Sequence, residues 1–230
     1  MQDESELEQY DDRTIEQHGT AMSFPDNRNA QRVMTVYRAA RIGAAHADDL
    51  GLIRNISTEG VMVETQLALE VDEAIVIEIQ SGNPLPGHVR WSRDGRAGVQ
   101  LDSSIDIVEA LRTSAADELA DRVRPPRFER TADADLHCGG QRWRATTRNI
   151  SLSGTQIVLE RPLNLPLHAL ATVRIGGLGE LSGSLRWQHE NGIGLRFDKP
   201  LPLRRLQGWL HDFQRDITNA TAADARSRRA

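Results

Sequence analysis

Arg54-Asn55-Ile56-Ser57 returns 94 residues later as Arg148-Asn149-Ile150-Ser151. Gly60 recurs as Gly154 at the same offset, whereas Gly87-x-x-Arg90-Trp91 recurs as Gly183-x-x-Arg186-Trp187 at an offset of 96. Gly98 with Leu101-Asp102 likewise recurs as Gly194 with Phe197-Asp198. The same features in the same order, with a two-residue indel between them, define a duplicated unit of about 90 to 100 residues.

Outward from these anchors, each copy reads as short strands. Val61 and Val63, Ile75, Ile77 and Ile79, Val89 and Trp91, and Val99 and Leu101 alternate with other residues, the period-2 sign of a half-buried strand. Gly82-Asn83-Pro84 and Asp94-Gly95 punctuate the first copy, and Gly176-Gly177-Leu178-Gly179 and Asn191-Gly192 the second. Each copy then turns helical. Ile105, Val108 and Leu111 lead into an Ala- and Glu-rich stretch to about Asp121, and Leu206, Trp209, Leu210, Phe213 and Ile217 form one apolar stripe. The expected fold is mainly β: two tandem, small antiparallel β-barrels, each followed by a C-terminal helix.

The boundaries follow. Residues 1–30 form an acidic tail read as disordered, 31–121 the first barrel and helix, and 122–126, with Pro125-Pro126, a stiff linker. Residues 127–217 form the second barrel and helix, and 218–230 a fraying tail. The net charge of −5 belongs to the first 26 residues, which carry −7 and leave the rest at +2. A non-specific DNA or RNA binder is expected to be far more basic. No run of 18 apolar residues predicts membrane insertion, and the single Cys138 cannot pair within the chain, so a reduced, cytoplasmic location is expected.

The chemistry concentrates in the repeated Asn-x-Ser-x-x-Gly: Asn55, Ser57 and Gly60, and Asn149, Ser151 and Gly154. As a turn, it uses a side chain that bonds nearby amides and a glycine that supplies a positive φ between strands. A preceding arginine (Arg54, Arg148) and an upstream arginine pair (Arg38 and Arg41; Arg127 and Arg130) accompany it in both copies. Here the sequence resembles the PilZ domain family, whose bacterial members bind cyclic di-GMP, over residues 30–121 and 124–217.

The resemblance implies six-stranded barrels and a site built from Arg-x-x-x-Arg ahead of the first strand and Asp/Asn-x-Ser-x-x-Gly after it. The second element is matched twice in full. The first departs, because Arg38-Ala-Ala-Arg41 and Arg127-Phe-Glu-Arg130 have two intervening residues, and Arg32, Arg122 and Arg124 are not read as restoring the third. Arginine suits such a ligand: its planar fork bonds phosphate oxygens or guanine O6 and N7, and its face stacks on a base. By resemblance, Asn55 and Asn149 bond a guanine edge, Ser57 and Ser151 bond phosphate or shape the turn, and Gly60 and Gly154 admit the ligand. Arg38, Arg41, Arg127 and Arg130 supply the charge, with Arg54 and Arg148 lesser candidates. The shorter Arg41-to-Asn55 span, 14 residues against 19 from Arg130 to Asn149, favours the first copy.

The expected function is a non-enzymatic cyclic di-GMP receptor or adaptor that relays ligand level by ordering an Arg-rich segment and altering contacts between barrels or with a protein partner. The alternative is a degenerate scaffold that has lost the ligand. No cofactor and no metal are expected. His137-Cys138 has no second pair at zinc spacing, the Gly176–Gly179 run lacks the Lys-Ser/Thr of a phosphate loop, and no nucleophile and base set stands out. Trp91 and Trp187 are expected to pack in the core or barrel mouth, with Arg90 and Arg186 facing the other way into solvent.

Overall fold

The computed structural model of the protein describes residues 33–80, 82–111, 125–213 and 215. The acidic tail, the Ala- and Glu-rich stretch up to Asp121, the start of the linker and the tail from 218 lie outside the described residues.

The first copy forms a closed barrel of six strands: β1 (Met34–Gly43), β2 (Asp48–Ile56), β3 (Gly60–Glu64), β4 (Ala74–Glu78), β5 (Pro84–Arg93) and β6 (Arg96–Leu101). The order around the barrel is β1-β2-β3-β6-β5-β4, and closure comes from Arg41, Ile42 and Gly43 of β1 pairing with Glu78, Ile77 and Val76 of β4. All pairings are antiparallel, and closing the sheet removes its free edges. A short helix, α1 (Ile107–Leu111), follows.

In the second copy β8 (Asp133–Cys138), β9 (Gln141–Ile150), β10 (Gly154–Leu159), β11 (Leu170–Ile175), β12 (Gly179–His189) and β13 (Gly192–Phe197) repeat that circuit, with β11 on β8 and β10 on β9. A two-residue strand, β7 (Phe128–Glu129), adds to β9. Residues 203–213 form helix α2.

Alternation drives both barrels as the sequence pattern predicts. Ile42, Ile53, Ile56, Val63, Ile77 and Val89 fill the first interior, and Leu136, Ile150, Ile157, Ile175, Leu185 and Ile193 the second. The stripe on α2 seats Leu206, Trp209 and Leu210 on the second core, and Trp209 Nε1 donates to the Gly176 carbonyl at 2.8 Å. The Asp94-Gly95 turn has both residues at positive φ, 51° and 70°, as a tight hairpin requires. In the Asn191-Gly192 turn the left-handed residue is Glu190, at φ 52°, and the strand has resumed by Gly192.

Two differences from the sequence reading matter for the site. Gly60 and Gly154 do not have positive φ. Their lack of a side chain serves a close approach instead, since a Cβ at Gly154 would lie 2.4 Å from the Leu195 carbonyl oxygen and one at Gly60 3.1 Å from that of Val99. The second concerns the upstream arginine pairs, which are not counterparts. Met34 and Thr35 face Ile56 and Asn55, and Phe128 and Glu129 face Ile150 and Asn149 in the same way. By that register Arg127 corresponds to Val33 and Arg130 to Val36, whereas Arg38 and Arg41 lie further into β1, beyond a bulge.

The barrels also touch. Leu50 and Ala39 of the first pack against the core cluster of the second, and Gln207 Nε2 on α2 donates to the Leu50 carbonyl.

Candidate ligand site

The Asn-x-Ser-x-x-Gly segment links two strands in each copy, and its serine is a turn staple. Ser57 Oγ lies 3.1 Å from the Gly60 carbonyl oxygen and accepts from Gly60 N at 3.0 Å. Ser151 Oγ donates to the Gly154 carbonyl at 3.2 Å, and Ser151 N to the same oxygen at 2.8 Å. Asn149 Nδ2 donates to Gln156 Oε1 at 3.0 Å across the β9–β10 pair, while Thr155 Oγ1 donates to the Asn149 carbonyl at 2.7 Å.

Beside each turn, the Arg-Trp dipeptide sits on a β-bulge, between Val89 and Trp91 in β5 and between Leu185 and Trp187 in β12. A bulge sets two successive residues opposite one and breaks strict alternation, so both side chains share the outer face. This overturns the expected division of roles. Trp187 is 38% exposed rather than in the core, and Arg186 lines the same surface as Trp187 instead of facing away. Each indole lies across a strand glycine: a Cβ on Gly98 would fall 2.0 Å from Trp91 Nε1, and one on Gly194 2.1 Å from Trp187 Nε1.

The second copy's turn opens on a cleft of about 320 Å³ whose far wall is the first barrel. Ser151, Gly154, Gln156, Arg186, Trp187 and Arg196 form the near wall, Arg38 and Gln80 the far wall, and Pro125, Pro126 and Arg127 one side. Four arginines, drawn from β1, the position just before β7, β12 and β13, therefore border one space. Arg38 also donates to the Leu111 carbonyl at the end of α1, at 3.4 Å. In the first copy the counterpart surface, about 330 Å³, is bordered by Val33, Asn55, Ser57, Gly60, Arg90 and Trp91. There Met62 and Gln100 stand where the second copy has Gln156 and Arg196.

Of the residues singled out from sequence, Arg38, Arg127, Ser151 and Gly154 thus meet in the interbarrel cleft, with Asn149 one hydrogen bond behind it. Asn55, Ser57 and Gly60 meet on the first barrel. Arg41 and Arg130 join neither group, because both grip Asp48. Arg41 Nε lies 2.9 Å from Asp48 Oδ2, and Arg130 bonds Asp48 Oδ1 from the other barrel. Burial by itself would push the Asp48 carboxyl up, but the hydrogen bonds and charges of Arg130 and Arg41 outweigh it and hold the group below the ordinary carboxylate value. Arg54 is taken by Glu64, at 2.7 Å from Nε, and stacks on Tyr37; Arg148 is exposed.

Sequence reasoning missed three things. Arg186 and Arg196 needed the bulge and the barrel closure to be placed. Asp48, as an acid between two arginines distant in the chain, gave no local signal. The third was in plain sight: Arg28-Asn29-Ala30-Gln31-Arg32 has the three-residue spacing sought at Arg38, and Arg32 does restore it. Both residues lie outside the described residues.

The model of the PilZ domain matches residues 26–115 and 121–211, and the chain belongs to that family, twice over in tandem. Membership places it among receptor and adaptor domains and not among enzymes. Similar solved structures include PlzA of Borreliella burgdorferi in complex with c-di-GMP, 11% identical, covering 81% of this chain and 94% of that one with a TM-score of 0.37. The MrkH–c-di-GMP complex of K. pneumonia is 13% identical over 79% and 89%, TM-score 0.34, and YcgR of Escherichia coli with c-di-GMP 13% over 83% and 86%, TM-score 0.26. No curated protein matches the chain. Among the described residues, no helix is long and apolar enough to cross a membrane.

Proposed function

We propose that the protein is a non-enzymatic receptor for cyclic di-GMP and that the interbarrel cleft is its principal site. One observation carries this reading: Arg38, Arg127, Arg186 and Arg196 converge from separate parts of the chain on the Ser151–Gly154 turn. A cyclic dinucleotide brings two anionic phosphates and two guanine edges, and guanidinium forks serve both. In this reading Arg38 and Arg127 close on the ligand, Arg186 and Arg196 bond phosphate or guanine, and the Trp187 face receives a base. Asn149 sets the Gln156 amide toward a guanine edge, and the glycine at 154 keeps the turn tight against β13. The first copy, with Asn55, Ser57, Gly60 and Arg90, is a second site, less cationic among the described residues.

Relay follows from the makeup of the cleft. A ligand that recruits Arg38 and Arg127 draws the first barrel and the linker toward the second barrel, and a partner protein reads the altered contact.

Calorimetric titration with cyclic di-GMP tests the reading. Saturable heat is expected, and Arg127→Ala and Arg186→Ala should each weaken binding about tenfold or more, as loss of a charged hydrogen bond does. No heat at about 100 μM ligand, where even a weak specific site of this kind fills, overturns it and leaves the ligand-free scaffold.

A further inference from the structure

Arg41 and Arg130 read from sequence as ligand arginines, yet they come from different barrels and meet on one carboxylate. Asp48 begins β2; its side chain is 13% exposed and that of Arg130 14%. Around this triad the contact is continuous: Leu50, 1% exposed, enters the second barrel's core cluster, and Gln207 holds the Leu50 carbonyl. The Arg130 guanidinium also lies over the Phe213 ring of α2, at 5.9 Å.

The first-barrel groups named in this contact, Ala39, Arg41, Asp48 and Leu50, belong to the β1–β2 hairpin, and Arg41 also reaches Glu78 of β4 at 3.5 Å. Arg38, which forms the far wall of the cleft, belongs to the same hairpin. Arg41 faces Leu50 and Gly43 faces Asp48 in the hairpin register, so Arg38 stands three residues along the same strand from the clamped arginine, about 10 Å away. A paired antiparallel hairpin is stiff over that distance. Where Asp48 is held decides where Arg38 stands.

We propose that Asp48, gripped by Arg41 and Arg130, is a clamp that seats the β1–β2 hairpin on the second barrel and thereby sets the width of the interbarrel cleft. Arg41 and Arg130 are then positioning residues and do not touch ligand. The affinity part of this inference rests on the cleft being the cyclic di-GMP site; the seating of the hairpin does not.

The two assignments of Arg130 predict opposite signs. If Arg130 bonds ligand, Asp48→Ala releases it and binding stays the same or tightens. If it clamps, Asp48→Ala loosens the far wall and binding weakens. The full chain is to be compared as wild type, Asp48→Ala, the isosteric Asp48→Asn, Arg130→Ala and the Asp48→Ala/Arg130→Ala double variant. Spin labels at Ala74→Cys and Glu180→Cys in a Cys138→Ala background report the interbarrel distance without ligand.

A single narrow distance distribution is expected for wild type and a broadened one for every clamp variant. Affinity for cyclic di-GMP should fall about tenfold in each single variant and no further in the double, the mark of one shared interaction. An unchanged distribution in both Asp48 variants overturns the clamp; a broadened distribution with unchanged or tighter binding overturns its control of the cleft and leaves the seating. If wild type binds no cyclic di-GMP, the function proposed above fails, and the distance measurement alone decides the clamp.

Discussion

Trp187 and Gly194 show how a ligand-facing surface is made from one residue pair. The bulge turns the indole out of the strand alternation, and the missing Cβ of Gly194 gives it a bed on the adjacent strand. Gly194→Ala puts a methyl group 2.1 Å from Trp187 Nε1. The ring must leave, at a cost of about 1–3 kcal/mol for an overpacked site. Urea unfolding should record that loss, and the Trp187 fluorescence should shift. The matching Arg148→Ala change, at an exposed side chain without a role in the cleft, should alter stability by no more than about 0.5 kcal/mol.

Much of the candidate site was readable at this scale, with informative errors. The serine staples stand where the motif placed them. The glycine at 154 is needed as expected, but for strand contact and not for a positive φ, a distinction no spacing rule makes. Arg90 and Arg186 do face outward as expected; it was Trp187 that was assigned to the wrong face, because strict alternation was carried through a bulge. Pairing Arg38/Arg41 with Arg127/Arg130 ignored register; the unequal spans to Asn55 and Asn149 already carried the discrepancy.

At the scale of elements, α2 is bound by its apolar stripe. Leu206 is fully buried against the second barrel, and Leu206→Ala should cost about 2–5 kcal/mol, read as a lowered denaturant midpoint. Val108 on α1 is 74% exposed, and Val108→Ala should change stability by less than about 0.5 kcal/mol. The contrast tests which helix positions are part of a core, since α1 packs through Ala110 and not through Val108. Strands and helix stripe were legible because burial imposes periods of 2 and 3.6 on the chain; the β1–β2 hairpin's second task, docking on a neighbour, leaves no period of its own. Leu50 reads like any strand leucine.

At the scale of the whole molecule, the barrels are joined through Asp48 and Arg130, both shielded, with the more exposed Arg41 shared between Asp48 and Glu78, and the pH dependence of Asp48 has a definite sign. The folded Asp48 carboxyl lies below its ordinary value, so the clamp contributes fully above the unfolded value of about 3.9 and is lost as pH falls through the folded one. The label-to-label distance should therefore stay narrow from neutral pH down to about pH 5 and broaden only below about pH 4. Broadening that is complete by pH 6 would place the control in some other group. High salt should have a smaller effect than on an exposed pair, because Asp48 and Arg130 are largely shielded from water.

From the chain alone, the duplicated barrels, their turns and the Asn-x-Ser-x-x-Gly segments could be derived, since each depends on near neighbours and on the alternation that burial enforces. Which arginines share a space could not. Arg38, Arg127, Arg186 and Arg196 are marked by no hydrophobic pattern, and they converge only through strand register, two bulges and the seating of one barrel on the other. The same seating moves Arg41 and Arg130 out of the ligand set and onto Asp48, because a carboxylate from the neighbouring barrel, 82 positions from Arg130, lies closer than any cleft.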